Sequence, residues 1–331
     1  MYYLLDEDDN TVMMISTKNE LRRNKLIVSY NGFRFNGFQR QNNGTDSDDV
    51  QGKFNKRKRR MVNNDNKKIK NRGNVTLTVQ EVLEDALEFY SGLNRKELKF
   101  RFAGRTDSGV HSSGQVVAVF LPYTTQEDWE IRKGINSRLP NDISVDHISK
   151  CSEDFNPRLD AQTKRYSYTL RFREKVVTAS GTEHPISSGG GPQLFRNALD
   201  SNTIWICPWA LDNHKIEDFC KVFSGSRDYT LFVHKKAQNT RNNKMTVNRF
   251  DCKRKLLTDG ISPIWEIKFI LESKGFGRSQ VRNMVGWIVD CCRGAIKYQD
   301  ASSSDSIWNE LQRTHIHAAP ACGLMLEHVI Y

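Results

Sequence analysis

The chain has 331 residues, of which 37% are hydrophobic and 27% charged, and it carries a net charge of +11. It is long enough for two domains or one two-lobed unit, and no run approaches the roughly 18 apolar residues of a membrane span. Its seven scattered cysteines (Cys151, Cys207, Cys220, Cys252, Cys291, Cys292 and Cys322) include no C-x-x-C pair, which argues against a metal site or a disulfide framework and for reduced thiols inside the cell.

Residues 1–21 read as an acidic extension. Asp6, Glu7, Asp8, Asp9 and Glu20 stand against Lys18, a balance unlike a secretory leader or an Arg-rich transit peptide. Lys25–Tyr30 predicts a strand that ends in the turn Asn31-Gly32. Residues 42–74 run Asn-rich, then acidic, then basic, with too little apolar content to offset the entropy of ordering, so they are expected to be disordered. Between Lys53 and Arg72 stand ten Lys or Arg and one acid, Asp65, so nine of the eleven net positive charges belong to this insert. Three readings of it stay open: an arm that grasps RNA, a nuclear localisation signal at Lys56-Arg57-Lys58-Arg59-Arg60, or a tolerated solvated loop.

Thr78 and Glu81 form a capping-box pattern, and Val79, Val82, Leu83, Ala86 and Leu87 then follow at helical spacing. The apolar run Phe100–Ala103 predicts a strand ending in the turn Gly104-Arg105-Thr106-Asp107-Ser108-Gly109, and Val116–Phe120 predicts the next strand. A helix is expected from Thr125 to Leu139, packed through Trp129, Ile131 and Ile135 and stopped by Pro140. After residue 150 the same grammar returns: a strand at 165–172, a helix at 216–223, a strand at 265–271, and a long helix from Gln280. That last helix is lined by Val281, Met284, Val285, Ile288, Val289 and Cys292. The Gly-rich stretch Ser187–Gly191 reads as a surface loop and not as a phosphate cradle, because no Gly-Lys-Ser/Thr follows it. The pattern predicts an α/β protein with helices on one sheet face, divided into a half at 22–150 and a similar half at 151–331 with a cleft between them.

Taken alone, Asp107 in Asp-Ser-Gly is an ordinary turn-capping aspartate. Its setting is less ordinary. The block GRTDSGVHSSGQVVAVF (104–120, with Phe102-Ala103 before it) resembles the catalytic segment of the TruA family of tRNA pseudouridine synthases. Other resemblances follow in family order: Gly37-Phe38-Gln39-Arg40-Gln41, with Phe38 for the usual Trp; Thr78-Val79-Gln80; Leu139-Pro140-Asn141-Asp142-Ile143; Phe155-Asn156-Pro157-Arg158 with Lys164-Arg165-Tyr166-Ser167-Tyr168; Val281-Arg282-Asn283-Met284-Val285-Gly286; and Ala319-Pro320-Ala321-Cys322-Gly323-Leu324.

The resemblance implies an α+β pseudouridine synthase fold, with two sheet-plus-helix halves sharing a continuous, mostly antiparallel sheet around a central RNA-binding cleft. It implies isomerisation of uridine to pseudouridine in the anticodon stem-loop of tRNA, at about positions 38–40, by a homodimer. No cofactor or metal is required, because the product is an isomer of the substrate. Carried over residue by residue, Asp107 is the nucleophile or base, Arg282 its counter-charge, and Tyr166 the group that stacks on uracil and removes the C5 proton. Arg105 helps to turn the nucleotide out of its stem. Gln39, Arg40, His111 and Lys164 are expected to contact substrate. The alternatives are a relative acting at other RNA positions and a tRNA-binding or tRNA-folding protein without catalysis. The expected compartment is the cytoplasm or the nucleus. The chain departs from the family pattern at Phe276-Gly277-Arg278-Ser279-Gln280, at Arg227-Asp228-Tyr229 and at Pro157, which puts the pocket wall and the RNA-facing loops in question.

Overall fold

The computed structural model describes residues 20–41, 77–175, 197–238, 242–260, 263–296, 308 and 316–331. Residues 1–19 of the acidic extension, the 42–74 insert with its 56–60 cluster, and Ser187–Gly191 lie outside the described residues.

Among the described residues ten strands form one sheet: β1 (Leu21–Tyr30), β2 (Arg101–Phe102), β3 (His111–Pro122), β4 (Ile143–Lys150), β5 (Thr163–Glu174), β6 (Trp205–Leu211), β7 (Gly225–Asp228), β8 (Lys244–Thr258), β9 (Ile264–Ser273) and β10 (Leu324–Ile330). Their order is β4-β1-β3-β10-β5-β9-β8-β7, with β2 added against β3 and β6 against β5. Pairing is antiparallel except where β10 meets β3 and β6 meets β5.

The last strand lies between β3 and β5. β10 pairs with β5 over Leu324–Ile330, and through Met325↔His111 and Leu326↔Ser112 it pairs with β3. Directly opposed residues share a sheet face. Tyr30 opposes Ser112, which in turn opposes Leu326. Tyr30 belongs to one buried apolar cluster and Leu326 to the other, so the two cores, with their helices, lie on the same side of the sheet.

In the first core the Val79–Ser91 helix starts with both hydrogen bonds of the Thr78/Glu81 capping box, and Val79, Val82, Leu83, Ala86 and Leu87 are all buried. Gly92 closes that helix in the left-handed conformation. After the short helix Arg95–Leu98, the helix expected at 125–139 is shorter than its sequence suggests, Asp128–Asn136, because Glu127 with Glu130 caps its start. Ile131 and Ile135 are buried as expected, but Trp129 points outward and stays 57% exposed. Residues i+2 and i+6 from Trp129 face the sheet, and a helix of 3.6 residues per turn turns Trp129 itself away.

The second core is larger and more aromatic. Phe172, Phe219, Phe223, Phe232, Phe269 and Trp287 are all within 2% of complete burial. Phe223 meets Trp287 edge-on with ring centroids 5.4 Å apart, a geometry that adds about 0.5–1.5 kcal/mol beyond area burial. The helix Gln280–Cys292 lays Val281, Met284, Val285, Ile288, Val289 and Cys292 into this core. Its Gly286 is there for close approach: an added Cβ would fall 1.8 Å from the carbonyl oxygen of His317. The departure Arg227-Asp228-Tyr229 also has a structural account. Tyr229 is completely buried and donates its hydroxyl to the Phe223 carbonyl at 2.7 Å, so tyrosine fits where an unsubstituted ring would leave that oxygen unpaired.

Candidate active site

Between β2 and β3 the chain 103–110 makes a loop held at several of its carbonyls. Lys164 Nζ donates to Ala103 O at 2.6 Å, and Gln115 Nε2 donates to Gly104 O at 2.7 Å. Phe38 N–H donates to Thr106 O at 3.2 Å, and Tyr30 shares a hydrogen bond of 2.9 Å with the Thr106 hydroxyl. Ser108 Oγ donates to Phe35 O at 3.1 Å. Gly37, with φ +80, brings the segment 32–41 against this loop, and a Cβ there would lie 2.8 Å from Thr106 O. Phe38 is fully buried, with its ring 4.9 Å from that of Phe102, so the aromatic of Gly-Phe-Gln-Arg-Gln is a packing residue beneath the loop.

Asp107 therefore stands on a rigid turn with its side chain 28% exposed, and the start of the Gln280–Cys292 helix faces it. Arg282 Nη1 lies 3.9 Å from Oδ2, Arg278 Nε lies 3.7 Å from Oδ1, and Ser279 Oγ donates to Oδ2 at 3.4 Å. The two arginines are not equivalent. Arg278 is 65% exposed, which limits such a pair to about 0–1 kcal/mol, whereas Arg282 is 20% exposed. Arg282 is also fixed from behind, because its Nε donates to Ala319 O at 2.6 Å and its own carbonyl accepts from Ala319 N at 2.9 Å. The closing Ala319-Pro320-Ala321 segment thus braces the counter-charge.

The carboxylate opens into a cleft of about 950 Å³. Seven cations line it (Arg40, Arg105, Arg158, Lys164, Lys244, Lys274 and Arg278), against Asp107 as its one acid among the described residues. Tyr166, from β5, lines the cleft beside Asp107, 92% buried and edge-on to Phe276 at 5.4 Å. Burial, and then the Asp107 carboxylate, raise its hydroxyl well above an ordinary tyrosine pKa, so it is neutral and a hydrogen-bond donor at neutral pH.

The structure gathers Asp107, Arg282, Tyr166, Arg105, Gln39, Arg40 and Lys164 in or beside this cleft. It does not bring His111 there. His111 is 1% exposed, and its Nδ1 accepts from Gly32 N–H at 3.2 Å, a position that holds the Asn31-Gly32 turn. Burial lowers its pKa, which keeps the ring neutral. Arg40 is partly engaged within the protein, with Nε 3.8 Å from Glu84 Oε2. Arg158, Lys244 and Lys274 were not anticipated as cleft residues. Arg158 stands in the quoted Phe-Asn-Pro-Arg motif, which could have drawn attention to it. Lys244 opens β8 opposite Asp228 of β7 and Lys274 follows the end of β9, and neither leaves a local signal.

Lys164 carries a pH signature. It is 7% exposed, and burial, with Arg158 nearby, lowers its ammonium from 10.5 to about 8. Between those values the unfolded chain binds a proton that the folded chain does not, so folding gains stability as pH rises through that window. The burial penalty is fully present below pH 8. Lys164→Met removes it, so the stability of this variant relative to wild type falls between pH 7 and 10, by up to about 3 kcal/mol. Denaturant melts of both proteins across that range check this, and a difference independent of pH refutes it.

A single carboxylate, paired with a braced arginine and set beside a neutral tyrosine, thus faces a cation-lined cleft. Comparison with known sequences makes this particular. The family described as tRNA pseudouridine synthase matches residues 27–160 and 219–331, and the chain belongs to that family of isomerases. The chain is similar to tRNA pseudouridine synthase A of Thermodesulfovibrio yellowstonii, at 27% identity over 93% of this chain and 98% of the relative. It is similar also to the proteins of that name from Pseudothermotoga lettingae, at 29% over 85% and 89%, and from Nitratidesulfovibrio vulgaris, at 29% over 77% and 87%. Asp107 and Arg282 fall inside the two matched stretches, whereas Lys164 and Tyr166 fall between them and are placed at the site by geometry. No helix among the described residues is long and apolar enough to cross a membrane.

Proposed function

We propose that this protein converts uridine to pseudouridine in the anticodon stem-loop of tRNA, at about positions 38–40, with Asp107 as the catalytic carboxylate. The observation that carries the reading is Asp107 itself: the one acid in a cleft of seven cations, held by Arg282 and next to Tyr166. The cations suit a phosphate backbone recognised by charge and shape. They are arranged around the acid, so the uridine that reaches Asp107 must leave its stack to do so.

In the reaction the bond from uracil N1 to ribose C1′ breaks, the base turns, and C5 bonds to C1′. The C5 proton departs and N1 gains one, so atoms balance without a co-reactant. Asp107 acts at the ribose, as a nucleophile on C1′ or as a base. Arg282 keeps its charge paired, and Tyr166 supplies a flat wall for the detached uracil. The raised pKa of Tyr166 favours this stacking role over abstraction of the C5 proton. Arg105, exposed at the rim of the Asp107 loop, meets the backbone of the turned-out nucleotide. The 22–150 half brings Asp107 and the 151–331 half brings Tyr166 and Arg282, and the working form is a homodimer inside the cell, in the cytoplasm or nucleus.

The test is tritium release from tRNA transcribed with 5-tritiated uridine, because isomerisation frees the C5 hydrogen to water. Release by the purified protein is expected, with carbodiimide-dependent primer stops at about positions 38–40. Stops elsewhere would reassign the target uridine. No release from any tRNA by the folded protein would overturn the enzymatic reading.

A further inference from the structure

The helix Gln280–Cys292 begins in an unusual way. Ser279 occupies its N-cap, where serine ordinarily has extended backbone and accepts a hydrogen bond from the first turn. Here the backbone is left-handed, with φ 61 and ψ 0, and the side chain makes no capping hydrogen bond. Its hydroxyl is turned instead to Asp107 Oδ2, at 3.4 Å. Among the described residues Ser279 and Lys99 alone are non-glycines with positive φ. Lys99 ends a short surface helix, whereas Ser279 lines the cleft. Left-handed non-glycine residues persist where the surroundings over-determine them, and they cluster at functional sites.

The surroundings do over-determine this one. Gln280 N–H donates to Gly277 O at 3.1 Å, and Gly277 N–H donates to Gln280 Oε1 at 2.7 Å. Asn283 N–H donates to Ser279 O at 2.9 Å, and His234 N–H donates to Arg278 O at 2.9 Å. With the backbone pinned on both sides, the Cα–Cβ bond of Ser279 is aimed before any substrate arrives, and the contact with Asp107 Oδ2 selects the rotamer of Oγ.

The two carboxylate oxygens are consequently treated differently. Oδ2 faces Ser279 Oγ and Arg282 Nη1, both on well-fixed backbone. Oδ1 faces the Nε of Arg278, whose side chain is 65% exposed. An exposed arginine exchanges a carboxylate for a phosphate readily, since either accepts its N–H groups.

We infer that Ser279 is a positioning residue which, with Arg282, fixes Oδ2 of Asp107 and so presents Oδ1 to the ribose, while Arg278 leaves Oδ1 for an RNA phosphate as substrate enters. This rests on the isomerase reading of Asp107 given above. A carboxylate is free to rotate about its Cβ–Cγ bond, and a donor on one oxygen sets the plane in which the other oxygen points. Orientation of this kind acts on the rate of the bound complex, whereas a phosphate contact acts on affinity.

Ser279→Ala and Ser279→Gly both remove the hydroxyl, but only glycine relieves the left-handed backbone. Both are expected to lower the single-turnover rate at saturating tRNA about ten- to hundredfold, with the Kd for tRNA within twofold of wild type. The glycine variant melts higher than the alanine variant even so. Arg278→Ala should do the opposite, raising Kd while the saturating rate stays within twofold. A Ser279→Gly rate equal to wild type overturns the role of the hydroxyl, and so does slowing that follows melting temperature from one variant to the other. An arm without RNA separates this from the function itself: a stability cycle of Ser279→Ala and Asp107→Ala should be non-additive, and additivity refutes the contact whether or not any tRNA is isomerised.

Discussion

Asp107→Asn will abolish isomerisation and leave the protein folded and bound to tRNA. The amide keeps the shape of the carboxylate, so the turn at 103–110 should survive. That turn is held by donors to the Ala103, Gly104 and Thr106 carbonyls, and none of these involves the Asp107 side chain. What is lost is the negative charge and lone-pair basicity at the one acid of the cleft. An amide is neither a competent nucleophile at C1′ nor a base, so tritium release should fall by about 10⁴-fold or more. Affinity should move the other way. Removing the single anion from among seven cations leaves binding to a polyanion unchanged or tighter, and filter binding at fixed salt measures it. Residual release above about one hundredth of wild type would place the chemistry on another group.

The contrast between what was legible in the sequence and what was not follows the range of the interactions. The capping box of Thr78 and Glu81, the strand–turn–strand around Asp107 and the apolar stripe from Val281 to Cys292 are local patterns, and the structure has each of them in place. Trp129 misled because hydrophobic identity was read without phase: Ile131 and Ile135 define the buried face, and it excludes Trp129. His111 misled through proximity. It is four residues from Asp107 in the chain, yet it opens β3 and packs inward under Gly32.

The site depends still more on distant pairings. β10 lies beside β3 through just two opposed pairs, Met325↔His111 and Leu326↔Ser112, and this strand carries the segment that braces Arg282. No local periodicity announces so short a parallel contact across more than 200 residues. The resemblance to a family placed Asp107, Tyr166 and Arg282 together in advance. It did not anticipate that Ala319 O would hold Arg282, that Ser279 would adopt φ 61, or that Lys244 and Lys274 would complete the basic rim.

Arg282→Lys will fail almost as badly as Arg282→Ala, although lysine keeps the charge that alanine removes and a simple counter-ion account would score the two differently. Arginine here does two things at once. Nε donates to Ala319 O at 2.6 Å while Nη1 sits 3.9 Å from Asp107 Oδ2. A planar fork can reach both, and a single ammonium cannot. A lysine nitrogen drawn to Ala319 O leaves the carboxylate, and one drawn to the carboxylate leaves a carbonyl without its partner, at a cost of about 1–3 kcal/mol. Single-turnover rates for both variants are expected to drop about 10²–10³-fold, the scale seen when a fixed electrostatic group is removed from a reacting centre. Melting temperatures separate the two effects, because lysine should retain more stability than alanine while recovering little rate. A lysine variant within twofold of wild type would show that charge alone suffices at residue 282. The bracing by Ala319 would then serve the fold of β10 and not the orientation of Asp107.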